Sequence, residues 1–186
     1  MQFECIKCGD CCRKSDMIVT LTGRDISKIA ISLGLDTKQI LRAIDFYVPI
    51  EGEYIPEGLK HIPQTITEKG PAILALKKDD TGACIFLKDD LCMIHEIRPS
   101  ACVSFPFVFS NESDGIKWGL SAMKKICPGI GQGPIVDENE LLEIASSVLE
   151  DLEIFREFSE EWNSSSVEHK AEDLIREILK DIRFIV

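Results

Sequence analysis

A chain of 186 residues is one domain, or one domain with an appendage, and is long enough to bury a core of its own. Its 45% hydrophobic and 28% charged residues match an ordinary globular protein, and no apolar run approaches the ~20 residues that span a bilayer, so no membrane partner is expected. A net charge of −11 offers no attraction to nucleic acid or to an anionic lipid surface, which excludes both as partners.

The chain opens Met-Gln-Phe-Glu, without the basic region and apolar stretch of a signal peptide. The expected location is therefore cytoplasmic, where thiols are kept reduced. That placement governs the reading of eight cysteines, which favour metal ligation over disulfides in such a compartment. Four of them, Cys5, Cys8, Cys11 and Cys12, follow in the pattern C-x-x-C-x-x-C-C. Two-residue spacing lets a tight turn aim both sulfurs at one centre. Gly9 stands where such a turn needs a positive φ or a close backbone approach. Adjacent side chains diverge, so Cys11 and Cys12 leave two alternatives: one is a spare thiol, or the motif feeds two centres.

Met17–Leu21 is a short apolar run suited to a buried strand. Thr22 with Asp25 is a variant capping box, Ile26, Ile29, Ala30 and Leu33 recur at helical spacing, and Gly34 supplies the stop. Asp36 with Gln39 opens a second short helix carrying Ile40, Leu41 and Ile44. From Tyr47 to Gly70, Pro49, Pro56, Pro63, Gly52 and Gly58 exclude a helix, and His61 reads as a surface residue. Ala72–Leu76 and Ala83–Leu87 flank a turn-rich stretch and predict a hairpin.

The second cysteine set starts on that hairpin with Cys84, continues through an Asp89-Asp90 turn to Cys92, and ends with Cys102 and Cys127. None of the four has a C-x-x-C partner, so the fold must carry each to a site. After Gly133 an acidic amphipathic helix opens at Asp137 with Glu140 and presents Leu141, Ile144, Val148, Leu152, Phe155 and Phe158. Asn163–Ser166 breaks it, and Ser165 with Glu168 starts another carrying Leu174, Ile175, Ile178 and Ile182, with His169 on the polar side. Two such helices form a helical hairpin packed on their own domain, or an arm for a protein partner.

The strings F-E-C-I-K-C-G-D-C-C-R, G-A-C-I-F-L, L-C-M-I-H-E-I-R-P-S-A-C-V-S-F-P-F and C-P-G-I-G-Q-G, in this order, resemble the CxxCxxCC proteins, a zinc- or iron-chelating, YkgJ-like cysteine-cluster family related to the flagellin lysine methylases. The resemblance implies that Cys5, Cys8, Cys11, Cys12, Cys84, Cys92, Cys102 and Cys127 are metal ligands. It marks Arg98 as a cofactor-binding position, and places His95 where the family commonly has Tyr. The related methylases imply an iron–sulfur cluster and S-adenosylmethionine. No Gly-rich signature for that cofactor and no nucleophile–base pair is present, so no catalytic residue is assigned.

Structural zinc usually draws two close cysteine pairs, whereas C-x-x-C-x-x-C resembles the start of a ferredoxin-type run. Lys7, Arg13, Lys14, Arg98, Lys124 and Lys125 flank cysteines and would offset thiolate charge. The expectation is one or two iron–sulfur clusters of the 4Fe-4S type, with zinc as the alternative, in a protein with a redox or catalytic-support role. The other functional alternatives are a zinc-stabilised interaction module and an S-adenosylmethionine-dependent lysine methyltransferase-like enzyme. The expected fold is α+β: a small metal-stapled domain over residues 1–136, with short strands, loops and two short N-terminal helices, and a C-terminal helical pair over residues 137–186.

Overall fold

The computed structural model describes residues 1–49 and 57–185. In chain order the elements are β1 (Gln2–Phe3), α1 (Asp10–Arg13), α2 (Gly23–Leu33), α3 (Thr37–Leu41), β2 (Ile44–Tyr47), β3 (Thr65–Thr67), β4 (Gly70–Leu76), β5 (Leu87–Lys88) and β6 (Leu91–Cys92). There follow α4 (Ser100–Ser104), β7 (Phe107–Glu112), β8 (Gly115–Leu120), β9 (Ile130–Ile135), α5 (Glu138–Ser164) and α6 (Ala171–Ile178). Helices and small antiparallel sheets make this an α+β fold, as the sequence predicts.

Local signals hold where they concern helix ends. The Thr22 and Asp36 capping boxes both form, and Gly34 closes α2 at φ 64° with its N–H on the Ala30 and Ile31 carbonyls. Asp137 caps α5, accepting from the Asn139 N–H at 2.8 Å. In the predicted irregular stretch, Gly52 and Pro56 lie outside the described residues, and Thr65–Thr67 forms a strand.

The predicted hairpin does not form. Ala72–Leu76 is a strand, but both edges of β4 are taken. β2 covers one edge, with Ile44 opposite Leu76 and Phe46 opposite Leu74. β3 covers the first half of the other, and Val19–Leu21 covers the rest, through Leu21 N–H to the Leu74 carbonyl at 2.9 Å and Leu76 N–H to the Val19 carbonyl at 2.8 Å. A third strand would find no free donors or acceptors there. The 83–87 segment touches this region only at a Lys78–Cys84 bridge and then enters the small β5–β6 hairpin. Its turn is Asp89-Asp90, both at positive φ (48° and 64°), the mirror-image turn that matches strand twist.

One apolar core runs through the molecule. Leu21, Ile26 and Ile29 share it with Leu74 and Leu76, and with Phe155, Phe158, Trp162, Leu174, Ile175, Ile178 and Phe184 from the C-terminal helices. The Phe155, Phe158 and Phe184 rings lie 5.2–6.2 Å apart. α6 packs on α3 and α2, while α5 lies against α2, α4, β3 and the β7–β8 hairpin. The two C-terminal helices therefore wedge into the fold.

The second helix starts at Ala171, six residues after the predicted cap. Ser165 turns back instead, its hydroxyl donating to the Trp162 carbonyl at 2.7 Å. Ile182 is 83% exposed in a short 3₁₀ turn, and Phe184 takes the buried place. His169 is not a free surface residue: its Nε2 lies 2.8 Å from the Trp162 carbonyl and its ring stands edge-on to the indole. His61 is exposed, as read. Asn163 and Trp162 hold the outer edge of β3, Asn163 Oδ1 accepting from Ile66 N–H at 2.7 Å and Trp162 Nε1 donating to the Ile66 carbonyl at 2.9 Å.

Candidate metal centre

The first cysteine motif is a loop closed by its own backbone. Gly9 sits at φ 73° and caps α1, its carbonyl accepting from the Cys12 and Arg13 N–H groups at 2.9 and 3.1 Å. A Cβ on Gly9 would lie 3.2 Å from the Asp90 carbonyl oxygen, so both the dihedral and the close approach call for glycine. Arg13 spans the loop: Nη1 donates to the Cys8 carbonyl at 2.7 Å and to Asp10 at 3.1 Å, while Nη2 binds Asp90 on the β5–β6 turn. This guanidinium, expected beside the thiolates, braces the backbone between the two cysteine sets.

Non-local pairing delivers the later cysteines. β1 and β9 align Phe3 with Ile130, Glu4 N–H donates to the Gly129 carbonyl at 3.3 Å, and the Cys127 carbonyl accepts from Ile130 N–H at 3.1 Å. The approach is tight enough that a Cβ on Gly129 would fall 2.1 Å from the Glu4 carbonyl oxygen. Cys5 and Cys127 thus become neighbours from opposite ends of the motif region. Cys84 N–H donates to the Cys12 carbonyl at 2.8 Å, and its own carbonyl accepts from Leu87 N–H at 2.8 Å. Leu87 in turn pairs with Cys92. Cys84 is buried in the core, with Cys12 and Cys92 packed against it.

Cys102 rides on α4, which has no capping side chain of its own. Asp25 supplies the cap from α2: only 1% exposed, it accepts from the Ser100 N–H at 2.8 Å and the Ser100 hydroxyl at 3.1 Å. Asp151 on α5 faces the same hydroxyl at 3.1 Å and pairs with Arg24. Lys28 adds a bond from α2 to the Arg98 carbonyl at 3.1 Å. Sequence reading found Asp25 only as a capping residue of α2, and passed over Ser100 and Asp151. Nothing in their spacing signals a network between residues so far apart in the chain.

The thiols perturb one another. Cys11 and Cys12 Sγ lie 3.9 Å apart, within hydrogen-bonding distance for sulfur. The Cys12 hydrogen bond draws Cys11 down to about 6, and the same bond pushes Cys12 far up. Burial pushes Cys84 up, with Lys78 opposing it and Cys92 and Cys11 adding to it. Burial also raises Cys102, reinforced by Cys11, Cys84, Cys92 and Asp25. Cys127 is raised by burial and then by Cys11, Cys5 and Cys8. Charge on any one thiol therefore discourages charge on the others, a conflict that a bound cation relieves. By donor chemistry the set fits a thiophilic metal. Lys78 is a cation at Cys84 that sequence reading did not select.

All eight predicted thiols are free and fall into this one region, six of them half-buried, Cys84 buried and Cys5 exposed. Among the described residues, no three Cys, His, Asp or Glu side chains stand close enough to hold a single ion. Arg98 turns its Nη1 onto the His95 carbonyl at 2.7 Å, close to the His95 ring, in the 3₁₀ turn His95–Ile97. Among the described residues no helix is long and apolar enough to cross a membrane.

No curated protein and no solved structure matches the chain. A family model does match, over residues 4–128, and its span begins one residue before the first thiol and ends one residue after the last. On that match and on the gathered thiols, the chain belongs to the CxxCxxCC family, "Putative zinc- or iron-chelating domain".

Proposed function

We propose that this metal-binding protein is a cytoplasmic iron–sulfur protein, with one or two clusters of the 4Fe-4S type held by all eight cysteines and serving a redox or catalytic-support role. The spacing of the thiols carries the reading. Four thiolates on one zinc ion, each about 2.3 Å from the metal, stand roughly 3.8 Å from one another. Here the one sulfur pair recorded at that distance among the described residues is Cys11–Cys12, at 3.9 Å. Adjacent residues are the pair least able to share an ion. Thiols that influence one another without touching suit the larger span of a cluster, which thiolates ligate from outside. Arg98, half-buried and lying in sequence between Cys92 and Cys102, is proposed to turn N–H groups other than its Nη1 toward the cofactor.

Protein purified without oxygen is expected to be brown, with broad absorption near ~400 nm and acid-labile sulfide in proportion to iron. Colourless protein with stoichiometric zinc and no sulfide, after anaerobic reconstitution with iron and sulfide, would overturn this in favour of a zinc-stabilised interaction module.

A further inference from the structure

We infer that the eight thiols form two separate four-sulfur sites that meet at the Cys11–Cys12 peptide bond. Cys5, Cys8, Cys11 and Cys127 make the outer site; Cys12, Cys84, Cys92 and Cys102 make the inner one. The inference rests on the proposed ligation by all eight cysteines, and it assigns which thiols act together whichever thiophilic metal they hold.

The first argument is directional. Cys11 and Cys12 both belong to α1, and successive residues of an α-helix project about 100° apart, since a turn takes 3.6 residues. The two side chains therefore leave α1 in different directions, with their Sγ atoms still 3.9 Å apart at the junction. Cys12 faces inward: its side chain packs on the core beside Cys84 and its carbonyl holds the Cys84 N–H at 2.8 Å. Cys11 is left for the other side.

The second argument is the origin of the neighbours. Cys84, Cys92 and Cys102 are carried by the β5–β6 hairpin and by α4, and α4 is tied to α2 through Asp25 and Ser100. Cys84 and Cys92 belong to the apolar core or pack on it. Cys5 and Cys127 are carried by the β1–β9 pair, with Phe3 opposite Ile130 and the Glu4 N–H on the Gly129 carbonyl. Cys8 is held by the Arg13 guanidinium on its carbonyl, within the loop that leads from β1. The two sets therefore hang from different elements, bridged where Arg13 reaches from the Cys8 carbonyl to Asp90 on the β5–β6 turn.

Such a division explains the adjacent cysteines: the Cys-Cys step is the shortest link by which one loop can serve two sites.

The test maps thiol protection in the full chain as isolated. Metal is withdrawn stepwise with a chelator, freed thiols are alkylated with N-ethylmaleimide at each step, and the labelled cysteines are identified by mass spectrometry. The expected result is two blocks of four, with Cys5, Cys8, Cys11 and Cys127 released first because Cys5 is exposed while Cys84 belongs to the core and Cys12 and Cys92 pack on it. Cys127→Ser should halve the metal content and leave Cys12, Cys84, Cys92 and Cys102 protected; Cys92→Ser should halve it and leave the outer four protected. Release of all eight thiols in one step, or a protected block that mixes the two sets, would overturn the division. The wild-type mapping decides the matter if a variant fails to fold. Two blocks in a sulfide-free zinc protein would support the division while overturning the iron–sulfur reading. Protein without metal, whose eight thiols label at once, would overturn both.

Discussion

The two ends of this molecule are held by different forces. At one end, α2, α5, α6 and the segment around Phe184 bury a continuous set of aromatic and branched side chains, with Phe155 and Phe184 fully enclosed. At the other, the thiols sit among a two-residue β1, the two-residue strands β5 and β6, and a four-residue α1. Strands and helices this short do not stand by themselves. The difference shows where stability originates. The helical end supplies it by burial and lends it to Cys84, which belongs to the core, and to Cys12 and Cys92, which pack on it. On the proposed division, the outer thiols would depend on the β1–β9 pair and on ligation, since binding energy at a site absent from the unfolded chain is folding energy.

The harshest way to break this comparison is truncation after Val136, at the boundary proposed between a cysteine-cluster domain and its C-terminal helices. Removing Phe155, Phe158, Trp162, Leu174, Ile175, Ile178 and Phe184 strips the core of its largest members. Each large-to-small change at such sites costs about 2–5 kcal/mol, so the shortened chain should be insoluble or unfolded by circular dichroism and should not retain metal. A folded, monomeric, metal-loaded fragment would show that the cysteine end supports itself.

Asp25→Ala sharpens the comparison at the joint between the ends. It removes the acceptor of the Thr22 and Ser100 N–H groups in a buried place, and leaving such donors unpaired costs roughly 1–3 kcal/mol each. Urea denaturation should register a loss of about 3 kcal/mol. Labelling of Cys102 should accelerate, because α4 loses its cap, while that of Cys5 should not change. Equal acceleration at both would mean that Asp25 supports the fold as a whole.

The smallest effect concerns Asp151. Burial pushes its carboxyl above the ordinary 3.8, with Arg24 and the Ser100 hydroxyl opposing. A carboxyl with a raised folded-state pKa binds its proton more tightly in the native protein than in the unfolded chain. Its ionisation therefore subtracts stability as pH rises from the unfolded value through the folded one, and the loss is complete above it. In Asp151→Asn this part of the stability–pH profile, just above pH 3.8, should flatten. An unchanged slope there would assign it to other groups.

Several elements were legible because their hydrogen bonds are local. Thr22 with Asp25, Asp36 with Gln39, Asp137, Gly34 and the Asp89-Asp90 turn each satisfy backbone groups within a few residues, so sequence and structure agree on them. The motif loop at Gly9 belongs with them, as do the identities of the eight free thiols. The β7–β8 hairpin carried such a signal in Asp114-Gly115, with Gly115 at φ 121°, which the reading did not use.

Competition between distant segments was decided only in three dimensions. Ala83–Leu87 has a strand's composition, but β2, β3 and Val19–Leu21 occupy both edges of β4, and an edge accepts one partner at each position. Ser165 has a cap's chemistry, but the Trp162 carbonyl takes its hydroxyl. The C-terminal helices announce apolar faces, and only packing shows that α5 sets its face against α2 and that α6 sets its face against α2 and α3. The grouping of the thiols is of the same kind. Spacing alone names the sulfurs, because a turn is set by its own few residues. The partner of each sulfur depends on β1 meeting β9 and on Asp25 reaching Ser100, contacts between residues that no local rule connects.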